Sequence, residues 1–409
     1  MGMKQVLVQK GSAVVSDVPV PTIDDGELLV QVRTSCLSIG TEMSGIRSSA
    51  VPLWKKAIRQ PEKAISALKM VSTYGISRTW NLIEEKKDAE HPTGYSAAGV
   101  VVAVGVDIKD LAVGDRVACA GAQYAYHAEY IRVARNLCAP MPDGVDFETA
   151  STVTLGAIAL QGVRRASPTI GESFVVIGLG VLGQLTIQLL KANGCRIIGV
   201  DLDRDRIKLA QQLGLTVGIH PDDSDENGQI ARLTDGLGAD GVIITAATSS
   251  DSVISTAFRM CRKKGRVVLV GDVGLKLNRS DFYEKEIDFF ISTSYGPGRY
   301  DHGYEEKGLD YPAAYVRWTE NRNMIEYLRL LDEQKINIGP MISERYSIDD
   351  AADAYNSLKS DAKNPLMVLL TYSTNEIPIE QTVVINSKRI AKPGVIRVAL
   401  IGAGSFARS

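Results

Sequence analysis

The stretch from Phe174 to Asp201 constrains the fold of this chain more than any other. It contains an apolar strand, a Gly178-x-Gly180-x-x-Gly183 turn, an apolar helix, a second strand and a terminal carboxylate. In this arrangement the first glycine makes a tight turn, the second lets a pyrophosphate approach the backbone, and the third lets the helix pack close to the strand. The stretch therefore predicts a dinucleotide-binding βαβ unit whose helix N-terminus holds the pyrophosphate.

Further residues complete the predicted cofactor site. Asp201 ends the second strand, where a carboxylate bonds ribose hydroxyls and repels a 2′-phosphate, so NAD is the expected cofactor. Arg204 and Arg206 follow closely and offer contacts to a 2′-phosphate, which leaves NADP open. Val181 and Leu182 are expected to present backbone N–H groups to the pyrophosphate. The remaining expected contacts lie at later strand ends, at Thr245, Ala246, Gly271, Asp272 and Val273.

Composition narrows the class of protein. The chain has 409 residues, enough for two or three domains. Its net charge of -2 argues against a partner that is nucleic acid or a membrane surface. The five cysteines are scattered without a CxxC pair, as in a reduced cytosolic protein. No apolar run is long enough to span a bilayer, so we expect a soluble, cytoplasmic protein.

The pattern of strand-like and helix-like segments divides the chain into regions. Residues 1–151 contain short β-branched runs separated by turns, which predict a small irregular barrel interrupted by a helical insert at 43–83. Residues 152–295 alternate strands and helices, including a helix over 251–263, which predicts an α/β, doubly wound parallel sheet of the Rossmann type. Residues 296–372 add two helices and a strand.

The C-terminal residues begin a new unit. Residues 373–394 are typical of an exposed linker, and residues 395–409 contain a strand that runs into Gly402-x-Gly404-x-x-Ala407. A strand and half a fingerprint cannot form a domain without partner strands. We therefore expect the first strand of a truncated second Rossmann domain, with the chain's own missing C-terminal domain as a partner. A C-terminal strand that only looks like a fingerprint is the alternative.

Three local motifs carry a resemblance to a known family. LVQVRTSCLSIGTEMSG, HPTGYSAAGVVVAVG and TLGAIALQGV are similar to segments of the zinc-type medium-chain alcohol dehydrogenases. The resemblance covers about 1–372 and implies a GroES-like β-barrel catalytic domain at 1–151 and 296–372, beside an NAD-binding Rossmann domain at 152–295. It also implies an NAD(P)-dependent dehydrogenase or reductase.

Each of these motifs departs from the family at its metal ligand. Ile39, Tyr95, Ser96 and Ala157 stand where the family has cysteine, histidine, glutamate and cysteine. A catalytic zinc needs about three protein ligands. The family's structural-zinc loop is absent too, since Cys119 stands alone in its segment. The sequence therefore predicts a zinc-independent member with no metal site.

A second resemblance is narrower. The run from 292 to 323, the helical insert and the second fingerprint are similar to bacterial oxidoreductases in which a medium-chain dehydrogenase is fused to a Gfo/Idh/MocA-type sugar dehydrogenase. That resemblance implies a role in nucleotide-sugar and surface-polysaccharide biosynthesis. The expected partner is a small-molecule substrate, in particular a phosphate-bearing sugar, and the prediction leaves room for a homo-oligomer.

With the zinc ligands missing, side chains must stabilise the developing alkoxide. Thr41 stands where the resembling enzymes keep a proton-relaying hydroxyl, and Tyr95 is placed to donate a hydrogen bond to the oxygen. A turn residue and a pocket-lining residue are their alternative interpretations. His127 is a candidate for completing a proton relay, although a lone histidine is more often structural.

Three residues are candidates for the substrate side of the cleft. Glu42 replaces the aspartate that supports the family's zinc site, and a structural role is expected for it. Arg299 and Tyr300 follow Gly-Pro-Gly in a loop, and the arginine is a candidate anion contact. The insert at 43–83 is rich in basic residues, which are either a solvated helix face or a clamp for a phosphate-bearing substrate.

Three functions remain open. The first is an oxidoreductase for a hydroxyl or keto group of a sugar or nucleotide sugar, which the basic insert and the second fingerprint favour. The second is a zinc-free enone or quinone reductase, and the third is a non-catalytic nucleotide-binding module that supports the second domain. The loss of every zinc ligand favours the second and third.

Overall fold

The computed structural model describes residues 2–9, 12–38, 40, 90–223, 225–359 and 365–374. The predicted helical insert and the start of the second Rossmann domain lie outside the described residues, as do Thr41 and Glu42. Of the predicted linker only residues 373 and 374 are described.

Short extended segments dominate the first part of the chain, as its β-branched runs predict. The strands are β1 (Met3–Gln9), β2 (Ser12–Val18), β3 (Glu27–Ser38), β4 (His91–Pro92), β5 (Ser96–Val104), β6 (Arg116–Ala120), β7 (Tyr130–Ala134) and β8 (Cys138–Pro140). Strands β2, β1 and β4 pair antiparallel in a small sheet. In the larger sheet β3 pairs with β5 and β7, β5 pairs with β6, and β6 pairs with β8.

The end of the described chain returns to this larger sheet. Strands β15 (Ile342–Ser347) and β16 (Met367–Thr371) pair parallel, and β16 pairs antiparallel with β3. The first four residues of β16 are buried, because the strand lies between two neighbours in the sheet. Strands from residues 27–140 and strands from residues 342–371 therefore share one sheet.

The middle of the chain forms a six-stranded parallel sheet. Its strands are β9 (Ser173–Ile177), β10 (Arg196–Val200), β11 (Val217–Ile219), β12 (Ala239–Ile244), β13 (Cys261–Leu269) and β14 (Asp288–Ile291). Their order is β11-β10-β9-β12-β13-β14, with every pair parallel. Strand β9, the first strand of this sheet along the chain, is therefore central in the sheet. The strand order reverses between β9 and β12. Ligands of such sheets bind at the carboxyl ends of the strands at that point.

Helices cover both faces of the parallel sheet. Phe174 and Val176 of β9 join one core, and Val175 and Ile177 join a second core on the opposite face. Both sets are buried because successive side chains of a strand alternate between the two faces. The first core is continuous with the core of the larger N-terminal sheet.

The helices of the described residues are short to medium in length. They are α1 (Phe147–Ala150), α2 (Val153–Ala166), α3 (Val181–Ala192), α4 (Arg204–Leu213), α5 (Glu226–Leu233), α6 (Ser252–Met260), α7 (Arg279–Phe282), α8 (His302–Glu305), α9 (Glu320–Asp332) and α10 (Ala351–Leu358). Short 3₁₀ helices lie at Arg135–Leu137, Pro221–Asp223, Gly339–Met341 and Ile348–Asp350. No helix in these ranges is both long and apolar enough to cross a membrane.

One predicted helix is shorter than its sequence pattern suggests. The prediction over 251–263 is wrong at its end, because the helix stops at Met260 and Cys261 is extended, with φ -71° and ψ 146°. Cys261 pairs with Ala239 of β12 and begins β13. Pairing with the parallel sheet therefore overrides the local helical pattern of the last three residues of the prediction.

Candidate functional site

The glycine-rich turn lies at the carboxyl end of the central strand β9. Gly178 has φ +92°, and a Cβ atom on it would lie 2.6 Å from the backbone nitrogen of Ala246. A Cβ atom on Gly183 would lie 2.0 Å from the carbonyl oxygen of Gly178. Both distances are far below van der Waals contact. The turn therefore requires glycine at these two positions so that β9, β12 and α3 approach closely.

The second glycine of the motif, Gly180, faces open space. A Cβ atom on Gly180 would meet nothing closer than Nη1 of Arg206, at 4.0 Å. Helix α3 begins at the next residue, Val181, without a capping side chain. Its first N–H groups and its dipole therefore favour an anion there. Gly180, Val181 and Leu182 line the cleft, so this turn fits the pyrophosphate of a dinucleotide.

Asp201 follows β10 and lies beside the turn. Its carboxylate accepts hydrogen bonds from the backbone N–H of Leu179 and, at 2.8 Å, of Asp203. These contacts tie the glycine-rich turn to the loop that begins α4. Asp201 also lines the cleft, and a carboxylate offers about four acceptor positions, so it retains capacity for ribose hydroxyls.

Arg206 is on the first turn of α4. Its Nε lies 3.6 Å from a carboxylate oxygen of Asp203, and both residues line the cleft. The guanidinium of Arg206 therefore lies in the negative electrostatic potential of nearby carboxylates. A 2′-phosphate at this place would gain the arginine but would meet Asp201 and Asp203.

The remaining predicted cofactor contacts follow β12 and β13. The hydroxyl of Thr245 donates to the carbonyl of Gly178, which locks the turn to β12, and Thr245 lines the cleft. A Cβ atom on Gly271 would lie 2.0 Å from the carbonyl of Ala246, so this strand end also requires close approach. Asp272 and Val273 line a neighbouring pocket of about 400 Å³.

The main cleft has a volume of about 910 Å³. It runs between the carboxyl ends of the parallel strands and a second side formed by α2 and by residues before and after the parallel sheet in the chain. On that second side it is lined by Gly40, Leu155, Ile158 and Leu366. A cleft of this size accommodates a nucleotide cofactor, since small-molecule sites fall in about the 300–1,000 Å³ range.

Three of the four positions where the family resemblance expects zinc ligands meet near the start of α2. The carbonyl of Tyr95 accepts a hydrogen bond from the Thr154 hydroxyl at 2.9 Å. The Ser96 hydroxyl donates to the carbonyl of Ser151 at 2.6 Å. Tyr95 is 6% exposed and Ala157, one helical turn beyond Thr154, is fully buried. In the described ranges no group of three or more His, Cys, Asp and Glu side chains is arranged to hold a metal ion.

His127 is buried in the N-terminal part. Its Nδ1 lies 2.7 Å from the Ser35 hydroxyl, which in turn lies 2.7 Å from the hydroxyl of Tyr372. The imidazole ring also contacts Tyr355 edge-on, with 6.4 Å between ring centroids. His127 is not among the residues that line the cleft. This network favours the structural interpretation of His127.

Arg299 and Tyr300 lie away from the cleft lining. Nη1 of Arg299 is 2.5 Å from a carboxylate oxygen of Glu305, and both side chains are largely buried. Tyr300 is 73% exposed, with the Arg299 guanidinium 4.2 Å from its ring centroid. The charge of Arg299 is thus already paired inside the protein.

Of the predicted catalytic and substrate residues, Thr41 and Glu42 lie outside the described ranges. Gly40, immediately before Thr41, lines the cleft.

The structure places two carboxylates, Glu226 and Glu320, at positions that the sequence did not predict. Glu226, the first residue of α5, lines the cleft. Glu320 is fully buried on α9, and neither of its oxygens has a hydrogen-bond partner in the described residues. Burial and then Glu305 raise the pKa of Glu320 to about 9. Each side chain is one acidic residue among many in the sequence, so no local pattern distinguishes it.

The parallel sheet with its reversal of strand order, its glycine-rich turn and its terminal carboxylate define a dinucleotide-binding α/β protein. Comparison with known proteins adds similarity to dehydrogenases. The family described as zinc-binding dehydrogenase matches residues 181–306. The chain is similar to zinc-type alcohol dehydrogenases and sorbitol dehydrogenases, and the names of these relatives support an NAD(P)-dependent dehydrogenase or reductase.

Two curated relatives illustrate the match. An alcohol dehydrogenase of Geobacillus stearothermophilus is 28% identical over 206 residues, which is 44% of this chain and 60% of that protein. The sorbitol dehydrogenase of Halalkalibacterium halodurans is 25% identical over 315 residues, covering 68% of this chain and 82% of the relative. The chain therefore spans somewhat less than two thirds of the first relative and more of the second.

Solved structures share the fold. The galactitol-1-phosphate dehydrogenase of Escherichia coli superposes with a TM-score of 0.68 at 19% identity, covering 90% of this chain and 100% of the other. An alcohol dehydrogenase of Escherichia coli CFT073, solved with NADH, has a TM-score of 0.65 at 19% identity and covers 90% of this chain and 99% of the other. These matches show that the fold is shared.

Proposed function

We propose that the chain is an NAD-preferring, zinc-independent oxidoreductase for a hydroxyl or keto group of a sugar or nucleotide sugar, with a role in surface-polysaccharide metabolism. The main support for this proposal is the cleft at the carboxyl ends of β9 and β12. Gly180 leaves room there for a pyrophosphate, and Asp201 lines the same cleft. When bound there, the nicotinamide supplies the hydride acceptor or donor.

The preference for NAD rests on the charges around Asp201. Asp201 and Asp203 line the same part of the cleft, and Arg206 is already 3.6 Å from Asp203. A 2′-phosphate adds about two negative charges to this place, so repulsion opposes the attraction of the single arginine. Ribose hydroxyls, in contrast, can donate hydrogen bonds to Asp201.

Zinc independence rests on the chemistry of the side chains at the former ligand positions. Ala157 has no donor atom, and the Ser96 hydroxyl is used within the protein, where it bonds the carbonyl of Ser151. A neutral serine is not one of the usual zinc ligands. Tyr95 and Thr41 then supply hydrogen bonds at the substrate oxygen, and His127 is proposed only as a remote member of a proton relay.

The substrate class rests on relatives and on the second fingerprint. The names of the relatives include sorbitol, L-arabinitol and D-guloside dehydrogenases. A polyol or sugar hydroxyl is the feature that these substrates share. The fingerprint at 395–409, which resembles the start of a Gfo/Idh/MocA-type domain, extends the proposal to a nucleotide sugar.

A zinc-free enone or quinone reductase is the second candidate. The absence of a donor atom at Ala157 and the internal hydrogen bond of Ser96 favour it, since adding hydride to a polarised C=C bond does not need a metal-bound alkoxide. The fold is shared with a quinone oxidoreductase of Pseudomonas syringae, at 19% identity and a TM-score of 0.63.

A screen of cofactor absorbance separates the two candidates. The chain is mixed with NAD and a panel of polyols and nucleotide sugars, and with NADH and a panel of ketones, enones and quinones, before and after chelation of metals. Turnover of a sugar or polyol that survives chelation is the expected result. Turnover restricted to enones or quinones favours the second candidate, and stoichiometric zinc whose removal abolishes activity contradicts zinc independence.

A further inference from the structure

Beyond Asp201 the cleft is closed by the N-termini of helices α5 and α6. Glu226 of α5 and Ser252, Val253 and Thr256 of α6 line this wall together with Pro221. Because it adjoins the carboxylate proposed to hold a ribose, this wall is the place for the base attached to that ribose. The inference that follows rests on the proposed binding of NAD.

An apolar platform lies at this end of the cleft. Leu202, next to Asp201, is 77% exposed, and it lines the cleft with Val253. A large apolar side chain at such exposure beside a ligand cleft suits the flat face of an aromatic base. The stacking surface, however, does not distinguish one base from another, because every base has an apolar face.

Glu226 is the carboxylate of this wall among the described lining residues. It is half-buried, and in the described residues it has neither an ion pair nor a hydrogen-bond partner. Burial, and then the adjacent Asp225, raise its pKa, while Arg259 acts in the opposite direction. Arg259 itself lies 3.5 Å from Asp281. A half-buried carboxylate without its own donor is costly, and a ligand that donates a hydrogen bond removes that cost.

We propose that Glu226 accepts a hydrogen bond from the exocyclic amine of the cofactor's adenine and so makes this cleft selective for adenine among nucleotide bases. The chemistry follows from the donor inventory. An ionised carboxylate only accepts hydrogen bonds, and the amine at C6 of adenine only donates them. A carbonyl oxygen at C6 of the base would instead face the carboxylate as a second acceptor.

Reduced nicotinamide hypoxanthine dinucleotide is the matched probe, because it differs from NADH only at one edge of the purine, where a carbonyl replaces the amine at C6 and N1 carries a hydrogen. Binding of both dinucleotides to the chain is measured by nicotinamide fluorescence, without any substrate. We expect NADH to bind about tenfold more tightly, as for loss of one hydrogen bond to a charged group. Glu226→Gln should reduce the ratio to near one, because its amide can turn either an acceptor or a donor toward the base.

Asp225→Asn is the control, because it removes a neighbouring charge while an asparagine still caps α5 as Asp225 does through the N–H groups of Asn227 and Gly228. It should keep the tenfold ratio. Equal binding of the two dinucleotides to the parent, or a ratio that Glu226→Gln leaves unchanged, overturns the role of Glu226 while the proposed function stands. Failure of the parent to bind either dinucleotide overturns both.

Discussion

The carboxylate of Asp201 accepts a hydrogen bond from the backbone N–H of Leu179, inside the glycine-rich turn. This contact joins the end of β10 to the end of β9, so the residue proposed to hold the ribose also positions the turn proposed to hold the pyrophosphate. Changes at Asp201 should therefore affect cofactor binding by two routes, through the lost acceptor and through the displaced turn.

Substitution of Asp201 tests the cofactor preference. The parent should bind NADH more tightly than NADPH, and Asp201→Ala should weaken NADH by about tenfold or more, because a charge-assisted acceptor is lost. Repulsion of the 2′-phosphate is lost as well, so the preference should shrink. Fluorescence titration with both dinucleotides measures the two effects. Equal affinity of the parent for both would remove the role assigned to Asp201.

Alanine at two neighbouring glycines should separate folding from binding. In Gly183→Ala the new Cβ would lie 2.0 Å from the carbonyl of Gly178, so we expect a loss of about 1–3 kcal/mol in the free energy of unfolding. In Gly180→Ala the nearest atom is at 4.0 Å, so stability should change little.

NADH binding should nevertheless weaken in Gly180→Ala, since the methyl group points into the space proposed for the pyrophosphate. Denaturant unfolding and NADH titration on both variants provide the measurement. Equal losses of stability in the two variants would contradict the packing argument.

The proposed hydrogen bond from Tyr95 to the substrate oxygen should be visible in kinetics. Tyr95→Phe should lower kcat and kcat/KM together by about 100-fold, because a donor used mainly in the transition state is removed. NADH affinity should remain nearly unchanged. Thr41→Val is the companion variant. If turnover is unaffected in both, the enone-reductase candidate moves ahead.

Glu320 should make stability depend on pH. Its pKa is raised from 4.5 to about 9 in the folded protein by burial and by Glu305, with Arg299 acting in the opposite direction. The folded state thus keeps a proton that the unfolded state releases near pH 4.5. The stabilisation from this group is fully present below pH 4.5 and is lost as pH rises to about 9.

Glu320→Gln, which cannot ionise, should flatten the fall in unfolding free energy between these pH values. Urea unfolding of parent and variant at several pH values measures the difference in slope. Glu326→Gln on the same helix is the control, because Glu326 is partly exposed and forms an ion pair with Arg329. It should leave the slope between these pH values unchanged. Identical slopes for parent and Glu320→Gln would show that Glu320 ionises normally.

The sequence alone predicted the βαβ unit well. Neighbouring residues specify each of the strand, turn, helix and second strand between Phe174 and Asp201. A glycine-rich turn and a continuous apolar strand can be recognised without knowing any distant partner. In the structure these elements occupy 173–177, 181–192 and 196–200. The resemblance of three local motifs to a known family implied the dehydrogenase class, which agrees with the named relatives.

Tertiary structure decided which distant residues share a site. Glu226, Leu155 and Leu366 are far apart in the chain, yet all line one cleft, because the order of the parallel strands and the return of β16 to β3 bring them together. It also placed His127 in a buried network and paired Arg299 with Glu305. Burial and pairing depend on contacts between segments that no local pattern encodes. The sequence therefore determined the chemistry available, and the packing of sheets and helices decided which of it faces the cleft.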